Sequence, residues 1–181
     1  MGGAKHLREL DERPLLDRAC EWSTGQSDKV ALAARNDSKL ADHGLPLLVD
    51  RHRDIGPISA LDSAFNFAQS EGCGHVLMIG CDQPFLPPDL VSRLFAVIGN
   101  AGAAIPVSGE REQPMATLWR VNPAELVSYL GAGGQSLRGF AHQVGSAIVP
   151  WPAAEGVDPF FNVNDRAALA EAESWLRKGA Q

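Results

Sequence analysis

HVLMIGCDQPFLPPDL, residues 75–90, opens with a short apolar run, Val76-Leu77-Met78-Ile79. Its length and composition are those of a strand covered on both faces. The run breaks at Gly80 and delivers Cys81, Asp82 and Gln83 just past its carboxyl end. Pro84, Pro87 and Pro88 stiffen the exit, and Asp89 with Leu90, Leu94 and Val97 begins a helix. In an open α/β sheet, ligands bind beyond the carboxyl ends of the strands. A carboxylate at that place is well sited to hold a divalent metal on a phosphate substrate. The plainer alternative is that Asp82 only caps a turn.

On the amino side, Arg13-Pro14-Leu15-Leu16 leads into a helix through Ala19 and Trp22, ending near Gly25. Lys29–Ala34 and Leu45–Val49 are strand candidates, the second ending on a carboxylate, Asp50. Pro57 suits the first helical position, and Ile58, Leu61, Phe65 and Ala68 follow at helical spacing. On the carboxyl side, Ala103–Val107 is a short strand, which Pro106 demotes to an edge or a strand end. Met115–Val121 alternates as a strand, Pro123–Leu130 and Ser136–His142 read as helices, and Ser146–Val149 as a late strand. Phe160–Asn164 reads as a strand end, with Asp165 capping a last helix that carries Leu169, Ala172 and Leu176 on one face. Strand and helix alternate throughout, so the class is α/β with a mainly parallel sheet.

The 181 residues are most simply one domain, 1–181, with room for a real core. A net charge of −6 argues against nucleic acid or an anionic membrane as the main partner. Any phosphate must then be met by a few placed cations, amides or a metal. Cys20, Cys73 and Cys81 form no C-x-x-C pair, and the histidines are scattered without ligand spacing, which suggests neither a disulfide framework nor a zinc ribbon. No apolar run reaches membrane-spanning length and no leader pattern precedes the first element, so a cytoplasmic protein is expected.

Asp50 and Asp82 each end an apolar strand, and in a parallel sheet such ends share one edge. Asn162 and Asn164 close a third segment that can reach the same crevice. Gly2-Gly3 ahead of Lys5 reads either as a backbone nest with a lysine reaching a phosphate or as a loose chain end. Gly56 at a helix start permits close approach of an anion, or simply makes a turn. Gly131–Gly134 reads as a linker more than as a phosphate cradle, and Trp119, Trp151 and Trp175 as core or surface cover.

Together, CDQPFLPPDL at 81–90, GPISAL at 56–61, MGGAKHLREL at the start with RPLLDR at 13–18, and FFNVND at 160–165 resemble the molybdenum cofactor guanylyltransferases. Each motif is moderately specific, and the set covers nearly the whole chain. The resemblance implies a Rossmann-like three-layer sandwich of the nucleotidyltransferase group. It implies Mg²⁺-dependent transfer of GMP from GTP to the terminal phosphate of the molybdopterin cofactor, with release of pyrophosphate. Carried over by position, Lys5 touches the GTP phosphates, Asp82 ligates magnesium and Asp50 helps to hold the nucleotide. Gly2, Gly3 and Gly56 would complete the nucleotide side, and Asn162 and Asn164 match the asparagine pair on the pterin side. The implied partners are GTP, molybdopterin and a molybdoenzyme or its chaperone.

The chain also departs from that pattern. The family opens with an apolar strand and an L-A-G-G-x-S-x-R loop before the methionine at which this sequence begins, so a sheet lacking the usual first strand is expected. Ala33-Ala34-Arg35 stands where the family carries Asn-Ala-Asn, Asp165-Arg166 where it carries Thr-Pro, and Ala60 where it favours glycine. A start lying upstream, or a relative that binds pterin or nucleotide without catalysis, would each explain the departures. Transfer of CMP to the same cofactor is the sister chemistry, against which Asn162-Val163-Asn164 argues.

Overall fold

The computed structural model describes residues 8–34, 43–49, 55–152 and 157–179. In chain order the elements are β1 (Glu9–Leu10), β2 (Arg13–Pro14), α1 (Leu15–Thr24), β3 (Leu32–Ala34) and β4 (Leu47–Val49). They continue with α2 (Pro57–Ser70), β5 (His75–Ile79), α3 (Leu90–Ile98), β6 (Ala103–Ser108), β7 (Arg111–Glu112) and β8 (Ala116–Arg120). The last are α4 (Pro123–Gly131), α5 (Leu137–Val144), β9 (Ser146–Trp151) and α6 (Arg166–Gly179).

Helix starts follow local chemistry. The Asn122 side chain accepts from Glu125 N at the head of α4, and Ser136 accepts from Gly139 N at the head of α5. Asp165 Oδ1 accepts from Ala168 N at 2.9 Å, the cap expected for the last helix. Each such bond satisfies one orphan amide and contributes about 1 kcal/mol.

The main sheet runs β5-β8-β6, with β9 on the far side of β6 and the short β7 pairing with β6 beyond β8. Strands β5, β6 and β9 share one direction, while β8 runs against β5 and β6. The sheet is therefore mixed where a mainly parallel one was expected. The cause is a reversal through Gly109 and Glu110, both at positive φ, which folds the chain straight back along β6 in place of a helical crossover. Pro106 does not mark an edge: β6 is central, with Pro106 opposite Val149 of β9. It is tolerated because the ladder on its other side is interrupted between Ala104 and Val107. There the Pro106 carbonyl accepts from Gln113 N at 2.9 Å and no amide of residue 106 is required.

Strands β3 and β4 form a separate parallel pair. Among the described residues no strand pairs with the outer edge of β5. Val76, Leu77 and Ile79 are accordingly half-buried, and only Met78 of that run is buried.

Side chains alternate across the sheet. Met78, Ala103, Ile105 and Trp119 face α2, α4 and α5, where they meet Ile58, Leu61, Phe65, Leu126 and Phe140. Ala104, Ala116, Leu118 and Val149 face the other way, onto Leu90, Leu94 and Ile98 of α3 and onto Trp22 of α1. Helices thus cover both faces and make three layers. Trp119 is fully buried and stacks on Phe140, with centroids 5.6 Å apart. A third cluster of Leu10, Leu15, Val163 and Ala172 docks α6 against the start of the described chain. None of the described helices is long and apolar enough to cross a membrane.

Candidate active site

Since β5, β6 and β9 point the same way, their carboxyl ends share one rim of the sheet. Asp82 stands on that rim in the turn after β5, as its position after the apolar run predicted. The turn is closed by Gln83 N donating to Gly80 O at 3.4 Å, and the buried Gln83 side chain folds back to accept from Gly80 N at 3.4 Å. The half-buried Asp82 carboxylate lies directly over Gly80: a Cβ built there would sit 2.6 Å from Asp82 Oδ1. Glycine is needed at position 80 for this close approach, since its φ is not in the left-handed region.

Residues 157–165 cross the rim. They leave the neighbourhood of β9, pass the end of β6 and reach the end of β5. At β6 the Asp158 carboxylate accepts from Ser108 Oγ at 3.3 Å. At β5 Val163 N donates to Asp82 O at 2.8 Å. Asn162 and Asn164 therefore flank the residue that is bonded to the Asp82 peptide.

The segment is not the strand end that the sequence suggested. It forms no ladder with a neighbouring strand; between its few long-range anchors the bonds are local: Phe161 N to Asp158 O at 3.0 Å, Asn164 N to Asn162 O at 3.0 Å, and Asn162 Nδ2 to Phe160 O at 3.1 Å. Phe160 meets Trp151 edge-on at 5.6 Å, while Phe161 meets Trp175 of α6 at 4.7 Å. Trp175 also touches Phe85, in the loop that follows Asp82, at 5.7 Å. One indole thus braces both rim loops. Arg8 brings a cation to the same place, its Nη1 donating to Val163 O at 3.4 Å.

Of the remaining sequence candidates, Gly56 caps α2 at φ +75, a conformation that side chains with a Cβ rarely adopt. That φ accounts for the glycine on backbone grounds, with Pro57 next to it at the first helical position. Gly2, Gly3, Lys5 and Asp50 lie outside the described residues. The Gly131–Gly134 stretch is no phosphate cradle, because the Tyr129 ring covers Gly134. Sequence reading missed Ser108 and Asp158. Their pairing spans 50 positions and has no local pattern.

Among the described residues no group of three or more His, Cys, Asp or Glu is placed to hold a metal. Magnesium does not require one: it is commonly held by one or two carboxylates, with water and substrate phosphates filling its shell. A half-buried Asp82 on the rim fits that demand.

Comparison with known proteins identifies the family and the fold. Residues 1–150 match the family model described as MobA-like NTP transferase domain. A molybdenum cofactor guanylyltransferase of Cereibacter sphaeroides is 36% identical over 183 residues, covering 99% of this chain and 92% of the relative. One from Acidiphilium cryptum is 35% identical over 179 residues, covering 96% and 88%. The crystal structure of molybdopterin-guanine dinucleotide biosynthesis protein A from Archaeoglobus fulgidus superposes with a TM-score of 0.74 at 21% identity, covering 98% of this chain and 92% of that one. The fold is thus that of the Rossmann-like nucleotidyltransferases, and the chain belongs to the MobA-like NTP transferase family.

Proposed function

We propose that this chain transfers GMP from GTP to the terminal phosphate of the molybdopterin cofactor. An oxygen of the cofactor phosphate attacks the α-phosphorus of GTP, the bond from that phosphorus to the bridging oxygen breaks, and pyrophosphate leaves. The observation that carries the reading is the junction at the rim. There a carboxylate suited to a metal–triphosphate and a pair of amides suited to a pterin are joined by one backbone hydrogen bond, Val163 N to Asp82 O. Guanylyl transfer requires two anionic phosphates to meet within about 3–3.5 Å, and groups one peptide apart can serve both.

Asp82 is the residue that would hold Mg²⁺. When bound, the metal offsets the charge gathering on the α-phosphate. Lys5 supplies a cation to the triphosphate, and Asp50, Gly2, Gly3 and Gly56 belong to the nucleotide side. The amides of Asn162 and Asn164 can donate to and accept from a pterin, whose edge carries both kinds of group. With a net charge of −6 the protein does not attract anions as a whole, so the few placed cations and the metal must do so. The Asn162-Val163-Asn164 pattern favours GTP over CTP.

The test is Asp82→Asn at saturating Mg²⁺. Removing one group that stabilises transition-state charge costs on the order of 10²–10³ in rate. Guanylyl transfer should fall by that factor, and turnover near the wild-type value would take Asp82 out of the chemistry. Thermal shifts with Mg²⁺ and either GTP or CTP separate the two nucleotides, since a ligand bound by the folded chain alone raises its stability. A shift with molybdopterin but with neither nucleotide would favour a non-catalytic pterin carrier.

A further inference from the structure

On the guanylyl-transfer reading, on which this inference rests, both pterin-side amides sit on residues 157–165, a segment with no sheet ladder to hold it. Its upstream anchor is Asp158. The Oδ1 of that residue accepts from Phe160 N at 3.0 Å, which folds the start of the segment into a turn, and from Ser108 Oγ at 3.3 Å. Ser108 is only 5% exposed and is the last residue of β6, so its hydroxyl is fixed by the sheet. The downstream anchor is the bond from Val163 N to Asp82 O. Asn162 lies between the two anchors and Asn164 just past the second.

We propose that Asp158 is a positioning residue for the pterin side: it pins the segment to the end of β6 and so sets where Asn162 and Asn164 stand relative to Asp82. Both bonds come from neutral donors to a single oxygen. An asparagine oxygen could accept both, whereas alanine could accept neither. The pin therefore works through hydrogen bonding and geometry, and the negative charge is dispensable. A carboxylate that ligated a metal or took up a proton would behave in the opposite way.

The experiment uses the full chain carrying Asp158→Ala, Asp158→Asn, Ser108→Ala or the Ser108→Ala/Asp158→Ala pair. Initial rates of GMP transfer are measured against molybdopterin and against GTP, and amide hydrogen exchange is followed over residues 157–165. Asp158→Ala should raise KM for molybdopterin about tenfold, the upper scale of one neutral hydrogen bond. KM for GTP should stay within about twofold, while kcat should fall alongside as the segment's shift upsets the alignment of the two substrates. Asp158→Asn should restore the wild-type KM, and the pair should be no worse than Asp158→Ala alone. Exchange at Phe160, Phe161 and Val163 should quicken in Asp158→Ala and stay at the wild-type rate in Asp158→Asn. Equal damage from Asn and Ala, a change confined to GTP, or unaltered exchange in Asp158→Ala would each overturn the proposal. A wild-type chain that transferred no GMP would refute the proposed function instead, and the exchange measurement would still decide whether Asp158 holds the segment.

Discussion

Gly80→Ala adds one methyl group where β5 ends, and its consequence can be worked from the geometry of the turn. The new Cβ would lie 2.6 Å from Asp82 Oδ1, 3.8 Å from Asp82 Cγ and 3.7 Å from Gln83 Oε1. Gly80 is outside the left-handed region, so alanine suffers no backbone strain there. The only close conflict is with the carboxylate. To reach ordinary contact at 3.4 Å, Oδ1 must retreat from 2.6 Å by roughly 0.8 Å. Asp82 can do this by rotating about its side-chain bonds, at about 0.5–1.5 kcal/mol for an off-rotamer angle. The fold should therefore survive with its melting temperature lowered by a few degrees at most. Function should not: displacing a catalytic group by about 1 Å typically costs about 10²-fold.

The assay is initial-rate GMP transfer across a Mg²⁺ titration, paired with a thermal melt. Gly74→Ala serves as the control, because that glycine also lies outside the left-handed region and a Cβ there meets nothing within 4 Å. Rate and melt should both stay at wild-type values in the control. Combining Gly80→Ala with Asp82→Asn should cost little more than Asp82→Asn alone, since both act through one carboxylate. A Gly80→Ala protein with normal turnover and normal Mg²⁺ dependence would refute the reasoning. So would a collapse in its melting temperature, which would assign the glycine to the fold.

Two further outcomes concern stability. Burial first, and the nearby Arg120 second, hold the His75 pKa below its ordinary 6.5. The unfolded chain then takes up the proton first as pH falls, so stability is complete above about pH 6.5 and declines below it until the folded histidine also protonates. His75→Gln should flatten the melting temperature against pH between about pH 7 and 5, and an undiminished slope would move the effect to another group. In the β1–β2 hairpin Asp11 and Glu12 sit at φ 55 and 59, the conformation that Asn-Gly adopts most readily. Asp11→Asn with Glu12→Gly should add about 0.5–1 kcal/mol to the unfolding free energy by urea titration. An unchanged midpoint would mean that the two Arg18 hydrogen bonds to Leu10 O govern the hairpin.

What could be read from the sequence was local. Gly80 and Asp82 follow directly from an apolar run, and the Asp165 cap lies three residues from the amide it satisfies. What could not be read depends on neighbours. Phe160-Phe161-Asn162-Val163-Asn164 alternates like a strand, yet its alternation serves three different surfaces. Phe160 packs on Trp151, Phe161 on Trp175, and Val163 enters the cluster of Leu10 and Leu15. Burial there falls on Phe160 and Val163, three residues apart, and no partner strand enforces a period of two. The antiparallel return of β8 was hidden for a related reason. A reversal at Gly109-Glu110 and a helical crossover leave similar strand patterns on either side, and only backbone pairing tells them apart.

The same contacts explain why the two sides of the candidate site should respond together. The Val163 peptide accepts from Arg8 at its carbonyl and donates to Asp82 at its amide. Trp175 rests on Phe85 in one rim loop and on Phe161 in the other. A shift of the segment thus has two routes to the Asp82 turn, one through the backbone and one through the indole. Phosphoryl transfer between two bound substrates needs this kind of shared frame, because the attacking oxygen and the α-phosphorus must be aligned at once. Had the amides and the carboxylate stood on independently mobile loops, each substrate could bind while the reacting atoms stayed apart. On the proposed guanylyl transfer, the bracing at Trp175 and the single hydrogen bond at Val163 would make binding on one side and alignment on the other consequences of the same packing.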